Sequence, residues 1–138
     1  MSVTIRVATE SDLPFLHEVD RHVTDRVQAE LVSLGRVMAA EIGDVAVGCL
    51  RWGMFWDEVP FMNFLWVVPE HRAAGVGTAL VAAWESAQVA AGHTMVLTST
   101  VSAERAQHLY RRLGYIDCGA LLLPDEPAEL ILRKSLSG

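Results

Sequence analysis

The stretch Asn63–Leu80, NFLWVVPEHRAAGVGTAL, restricts the fold more than any other part of the chain. Its apolar run, Phe64–Val68, reads as a buried strand stopped by Pro69. A short loop follows, and a helix is expected to start near Ala74. The loop carries Arg72, Ala73, Ala74, Gly75, Val76 and Gly77, an arginine with glycines three and five residues later. Glycines let the backbone come close to a bulky ligand. The first turn of a helix offers unpaired N–H groups and roughly half a unit of positive charge. Strand, glycine loop and helix start together make an anion site, and phosphate is its usual occupant.

Two common phosphate binders do not fit. A dinucleotide fingerprint needs a third glycine, and Leu80 stands there. A P-loop needs a lysine before its Ser or Thr, and here Gly77 directly precedes Thr78. The bulk numbers narrow the classes further. With 138 residues, a single domain spanning 1–138 is expected. Apolar residues at 51% against 20% charged residues exclude a disordered chain. A net charge of −6 argues against nucleic acid, which needs a basic face, and is compatible with a cationic amine. Cys49 and Cys118 each sit in an apolar run and are expected to be buried free thiols. His17, His22 and His93 lie in no grouping with metal-ligand spacing, so no metal is expected. The N-terminus lacks an apolar signal region, and no apolar run approaches the ~20 residues that span a bilayer. A soluble cytoplasmic protein with no membrane partner is expected.

The rest of the chain supplies the elements around this stretch. Val3–Ala8 alternates as a strand does. Ser11 is the expected N-cap of a helix carrying Leu13, Leu16 and Val19, and Thr24 that of a second helix closed by Gly35. Residues 36–42 and 45–51 are strand-like runs joined by a Gly43-Asp44 hairpin turn. Residues 52–60 read as an irregular aromatic link. After the loop, Val76, Leu80, Ala83 and Ala87 mark a helix to about Ala91. Met95–Val101 is a strand, and Ser102 is the expected cap of a helix ending at Gly114. Residues 115–123 and 128–133 are two further strands around the turn at 124–127. The order is β-α-α-β-β-β-α-β-α-β-β, a mixed α/β fold. The helical crossover makes the fourth and fifth strands parallel.

The segment Arg-x-x-Gly-x-Gly after a strand ending Val67-Val68-Pro69 resembles the acetyl-CoA loop of the GCN5-related N-acetyltransferases. Tyr110, within AQHLYRRLGY, resembles that family's helix tyrosine; Ala103 stands where the family pattern has asparagine. The resemblance implies the GNAT fold: a central, mostly antiparallel sheet of six or seven strands, about four helices, and parallel strands 4 and 5 that splay. It implies acetyl-CoA as acyl donor. Backbone groups of Leu65, Val67 and Val68 would pair with the pantetheine arm, and Arg72 through Thr78 would cradle the pyrophosphate. Tyr110 would protonate the departing thiolate, direct attack would occur in a ternary complex, and a homodimer is left open.

The resemblance implies an amine acceptor, either a small molecule or a protein N-terminus or lysine. An alkyl amine of pKa ~10.4 is almost fully protonated at neutral pH and needs a base. Asp57 and Glu58, just before the central strand, are the candidates. Trp52, Phe55, Trp56 and Trp66 are candidate walls of an acceptor pocket or members of the core. The competing reading is a catalytically silent module that binds acyl-CoA and regulates.

Overall fold

The computed structural model describes residues 2–136. Its strands are β1 (Val3–Val7), β2 (Val37–Ile42), β3 (Val45–Phe55), β4 (Val59–Val67), β5 (Met95–Val101), β6 (Ile116–Leu121) and β7 (Glu129–Ser135). Its helices are α1 (Leu13–Val19), α2 (Asp25–Ser33), α3 (Val76–Ala90) and α4 (Ala106–Arg112). Element types and order are those expected from the sequence. The strands hydrogen-bond in the order β1-β2-β3-β4-β5-β7-β6. β4 and β5 are parallel, through Phe61↔Leu97 and Met62↔Thr98.

By its internal contacts the chain divides into two compact units, with breaks after Gly53, Asn63 and Trp84. In the first, β1, β2 and β3 form an antiparallel ladder, and α1 and α2 supply the apolar cover. Leu16, Val32, Val37, Ala39 and Cys49 form its core, with Phe15, Phe64 and Trp66 packed against it. α2 begins where Thr24 Oγ1 accepts from the Val27 amide at 3.2 Å, as expected. Before α1 the cap differs from expectation. Thr9 caps a 3-10 turn at Glu10–Asp12 that leads into the helix, and its amide donates to the Asp12 carboxylate at 2.8 Å. Ser11 only shares a hydroxyl contact with Thr9 at 2.9 Å. Asp12 is itself the residue that precedes α1, and Arg6 clamps its carboxylate with bonds of 2.7 and 2.9 Å. The same guanidinium holds the Asp12 carboxyl below its ordinary pKa.

A buried ion pair ties α1 to β3. Arg51 Nε donates to Asp20 at 2.6 Å, with both side chains almost wholly buried, and Gln28 donates to the same carboxylate at 3.3 Å. Gly48, opposite, has no room for a side chain, since a Cβ would meet the Trp66 carbonyl at 2.9 Å.

In the second unit, β7 lies between β5 and β6 and pairs antiparallel with both. Val96, Thr98, Leu132 and Tyr115 are fully or almost fully buried there. Tyr115 and Lys134 both donate to Glu85, each at 2.8 Å. Burial and the Glu85 charge push the Tyr115 phenol well above its ordinary pKa.

Several boundaries move. The central strand is longer than residues 64–68 and starts at Val59. The expected irregular link is largely strand, because β3 runs on to Phe55. It closes on β4 through a tight turn in which Trp56 (φ 57°) and Asp57 (φ 61°) are both left-handed. The Glu58 amide donates back to Phe55 at 3.1 Å. That is the geometry of a primed two-residue hairpin turn, usually made by Asn-Gly. α4 begins at Ala106 with Arg105 at its N-cap, so Ser102 is not the cap. The Ser102 amide instead donates to Ala128 at 2.9 Å. Cys49 is buried as expected, but Cys118 is exposed. It lies on β6, an edge strand whose residues are all exposed, so an apolar run there does not mean burial.

Candidate functional site

The loop after β4 is built as an open turn. Residues 69–71 form one turn of 3-10 helix behind Pro69, whose ring suits a helix start. Ala73 (φ 68°) and Gly75 (φ 85°) then take left-handed conformations on either side of Ala74. Gly75 pays no steric cost for this, whereas Ala73 is strained by about 1–2 kcal/mol. Ala73, Ala74, Gly75 and Thr78 are exposed, Gly77 is half-buried, and Val76 points into the core. A Cβ at Gly75 would meet nothing within 4 Å, so the loop's outer side is open.

The amides divide into two groups. Arg72 and Ala74 donate to Pro69 and His71, each at a long 3.3 Å. Ala73 and Gly75 donate to no backbone carbonyl among the described residues, and Val76, Gly77 and Thr78 form the first turn of α3. Such first-turn amides have no partner within their own helix. The open N–H groups, the positive end of a 15-residue helix and Arg72 are what a pyrophosphate requires.

Arg72 is held against β4. Its Nε donates to the Val67 carbonyl at 2.8 Å, and its guanidinium lies 5.7 Å from the Trp66 ring centre. The structure therefore qualifies two of the three strand positions expected to meet pantetheine. The Val68 amide is committed to Val47 at 2.8 Å, on the β3 side, and is not free for a ligand. The Val67 carbonyl is engaged by Arg72, a bond that a ligand would have to replace or share. Leu65 is half-buried on the same strand.

In the second unit, Tyr110 is 5% exposed on α4, with its ring 5.9 Å from that of Tyr115. Burial is the main reason its phenol is pushed up to about 12. Thr98, in hydrogen-bonding contact, pulls the other way, and Glu104 and Glu129 add to the rise. The phenol thus stays protonated and able to donate across the whole neutral range. Thr98 Oγ1 donates its one proton to the Met62 carbonyl at 3.0 Å, at the last rung of the β4–β5 pairing.

The base candidates Asp57 and Glu58 are both exposed at the β3–β4 turn. The adjoining groove, about 670 Å³, lies on one sheet face of the second unit and is lined by neither of them. Phe55 and Trp56 do line it, as two of the four aromatic candidates. Trp52 instead makes a tilted contact with Trp84, and Trp66 an edge contact with Phe15. The groove was not legible in the sequence, since its floor comes from alternate residues of strands whose neighbours only the sheet order fixes. A smaller polar pocket beside α1 and α2 is lined by His17, Glu18, Asp20, Arg21, Val23 and Asp25. No group of three or more His, Cys, Asp or Glu side chains among the described residues could hold a metal ion.

Comparison with known proteins bears on these features. A protein-family model described as an acetyltransferase (GNAT) domain matches residues 33–117. No curated protein matches the sequence. Among solved structures, a GNAT-family acetyltransferase from Bacillus cereus superposes with a TM-score of 0.81 at 18% identity, covering 98% of each chain. The ribosomal-protein-S18-alanine N-acetyltransferase from Escherichia coli gives 0.81 at 15% identity, covering 99% of this chain and 96% of its own. The PaiA N-acetyltransferase from Thermoplasma acidophilum, solved in complex with coenzyme A, gives 0.83 at 13% identity, covering 98% of this chain and 99% of its own. At these identities the superpositions establish a shared fold.

Proposed function

The chain belongs to the GNAT acetyltransferase family, and on that premise we propose that it is an N-acetyltransferase that moves an acetyl group from acetyl-CoA to a primary amine. The observation that carries this is the loop at 72–78, with its open amides at the start of α3 directly after β4. Charge-assisted hydrogen bonds from those amides and from Arg72 hold the pyrophosphate. The β4 backbone at Leu65 and Val67 runs beside the pantetheine arm. Acetyl-CoA, when bound, supplies an activated acetyl thioester.

The residues of this chain do the rest. The acceptor nitrogen forms a bond to the carbonyl carbon, the carbon–sulfur bond breaks, the nitrogen gives up one proton and the sulfur takes one. Tyr110 supplies the sulfur's proton, since its phenol is kept neutral by burial. Asp57 or Glu58 takes up the amine's proton, directly or through water. Attack is direct in a ternary complex. Cys49 is unsuited to an acyl-enzyme because it is buried and its thiol is pushed up to about 12. The whole chain acts as one domain in the cytoplasm.

The test is thiol release from acetyl-CoA with a panel of amines. Release should require an amine, and Tyr110→Phe should lower kcat roughly 10²–10⁴-fold with CoA affinity unchanged. CoA binding without turnover on any amine would favour the silent acyl-CoA-binding module, a reading that the exposed position of both base candidates supports.

A further inference from the structure

The acceptor class is written in the groove of the second unit. Cross-strand pairing sets its floor: Phe61 faces Leu97, and Leu97 faces Arg133. Residues directly opposite in a sheet share a face, so one cation stands in an apolar row. Phe55 and Trp56 form an aromatic wall, with their ring centres 4.6 Å apart, and Phe55 lies 6.1 Å from Phe61. Trp56 is 78% exposed and left-handed, an arrangement that costs hydration and backbone strain at once. A groove of about 670 Å³ suits a small molecule.

Charge decides which small molecule. Among the described residues no Asp, Glu or His lines the groove, so none of them balances Arg133 or would hold an ammonium group. No ion pair or hydrogen bond among the described residues engages the Arg133 guanidinium. A polyamine or a lysine side chain would bring its positive charge to an apolar surface whose one charge is also positive. An apolar body that carries a carboxylate satisfies both features, because guanidinium pairs with carboxylate through two parallel bonds. The groove reaches the point where the β4–β5 pairing ends: Asn63 lines it, one residue beyond the last pair, Met62↔Thr98.

We infer that the acceptor is an apolar amine bearing a carboxylate, such as an aromatic or branched α-amino acid, seated in this groove with its carboxylate on Arg133. This rests on the transferase reading for the reaction, while the groove's preference stands apart from it. In the reaction the amino nitrogen of that compound bonds to the acetyl carbon, and CoA leaves as the thiol.

Calorimetric titration of the full chain without CoA tests the preference. N-acetyl-L-phenylalanine should bind at least about tenfold more tightly than N-acetyl-L-phenylalaninamide, which lacks the carboxylate. Arg133→Gln should erase that difference, and it leaves the fold intact because the side chain is exposed. Trp56→Ala should weaken both compounds. With acetyl-CoA, L-phenylalanine or L-leucine should be acetylated faster than spermidine. Equal affinity for acid and amide, or a difference that survives Arg133→Gln, overturns the inference. So does turnover with spermidine alone, which would leave the acetyltransferase reading standing. Absence of CoA binding would sink the transferase reading instead, and the titration without CoA would still decide the groove's preference.

Discussion

Tyr110 shows how one side chain serves both packing and chemistry. Its burial displaces the phenol's ionisation from the ordinary value near 10 to about 12. The native state therefore keeps a proton that the unfolded chain loses, and stability falls as pH rises from about 10 through 12. Below pH 10 the effect is fully present. The raised Tyr115 phenol acts in the same sense. Urea melts at pH 9, 10 and 11 should show a steepening loss, and the loss should be smaller in Tyr110→Phe. The motif made Tyr110 legible in the sequence, while its contact with Thr98 was not, because it depends on which strand packs behind α4. The two cysteines give a second residue-scale prediction. Cys118 is exposed and Cys49 is buried with its thiol pushed up to about 12. Reactivity follows exposure and thiolate character. One thiol per chain should react with a disulfide reagent under native conditions, and the second only in denaturant. The sequence placed both in apolar runs and so predicted burial for both. Only the position of β6 at the sheet edge separates them.

At the scale of elements, punctuation decided what could be read. Pro69, Gly35 and the Gly43-Asp44 pair marked ends that the structure confirms to within two or three residues. The β3–β4 hairpin was missed because its turn residues, Trp56 and Asp57, carry no glycine, although both are left-handed. The start of α1 was misplaced too: a 3-10 turn capped by Thr9 precedes it, with Asp12 clamped by Arg6. The Asp20–Arg51 pair gives the element-scale prediction. It joins the end of α1 to β3 with both side chains buried. Asp20→Ala would leave a buried guanidinium without its partner, at a cost of about 3–5 kcal/mol. That is a large share of the roughly 5–15 kcal/mol that stabilises a natural domain. The midpoint of urea unfolding should fall accordingly, and Asp20→Asn should recover part of the loss by keeping the hydrogen bonds.

At the scale of the whole molecule, the pattern of helices and strands set the order of elements and the parallel relation of β4 and β5. It did not set the place of β7 between β5 and β6, since strand order depends on long-range pairing. The groove and its lone arginine follow from that order. The phosphate loop needed no such knowledge, because strand, loop and helix are contiguous in the chain. The account stands or falls on the loop at 72–78 holding the pyrophosphate. Calorimetric titration with CoA and with pantetheine, which lacks the pyrophosphate, tests this directly. Two charge-assisted phosphate contacts are each worth about 1.5–3 kcal/mol, so CoA should bind at least about 100-fold more tightly than pantetheine. Equal affinity for the two, or no affinity for CoA, would contradict it.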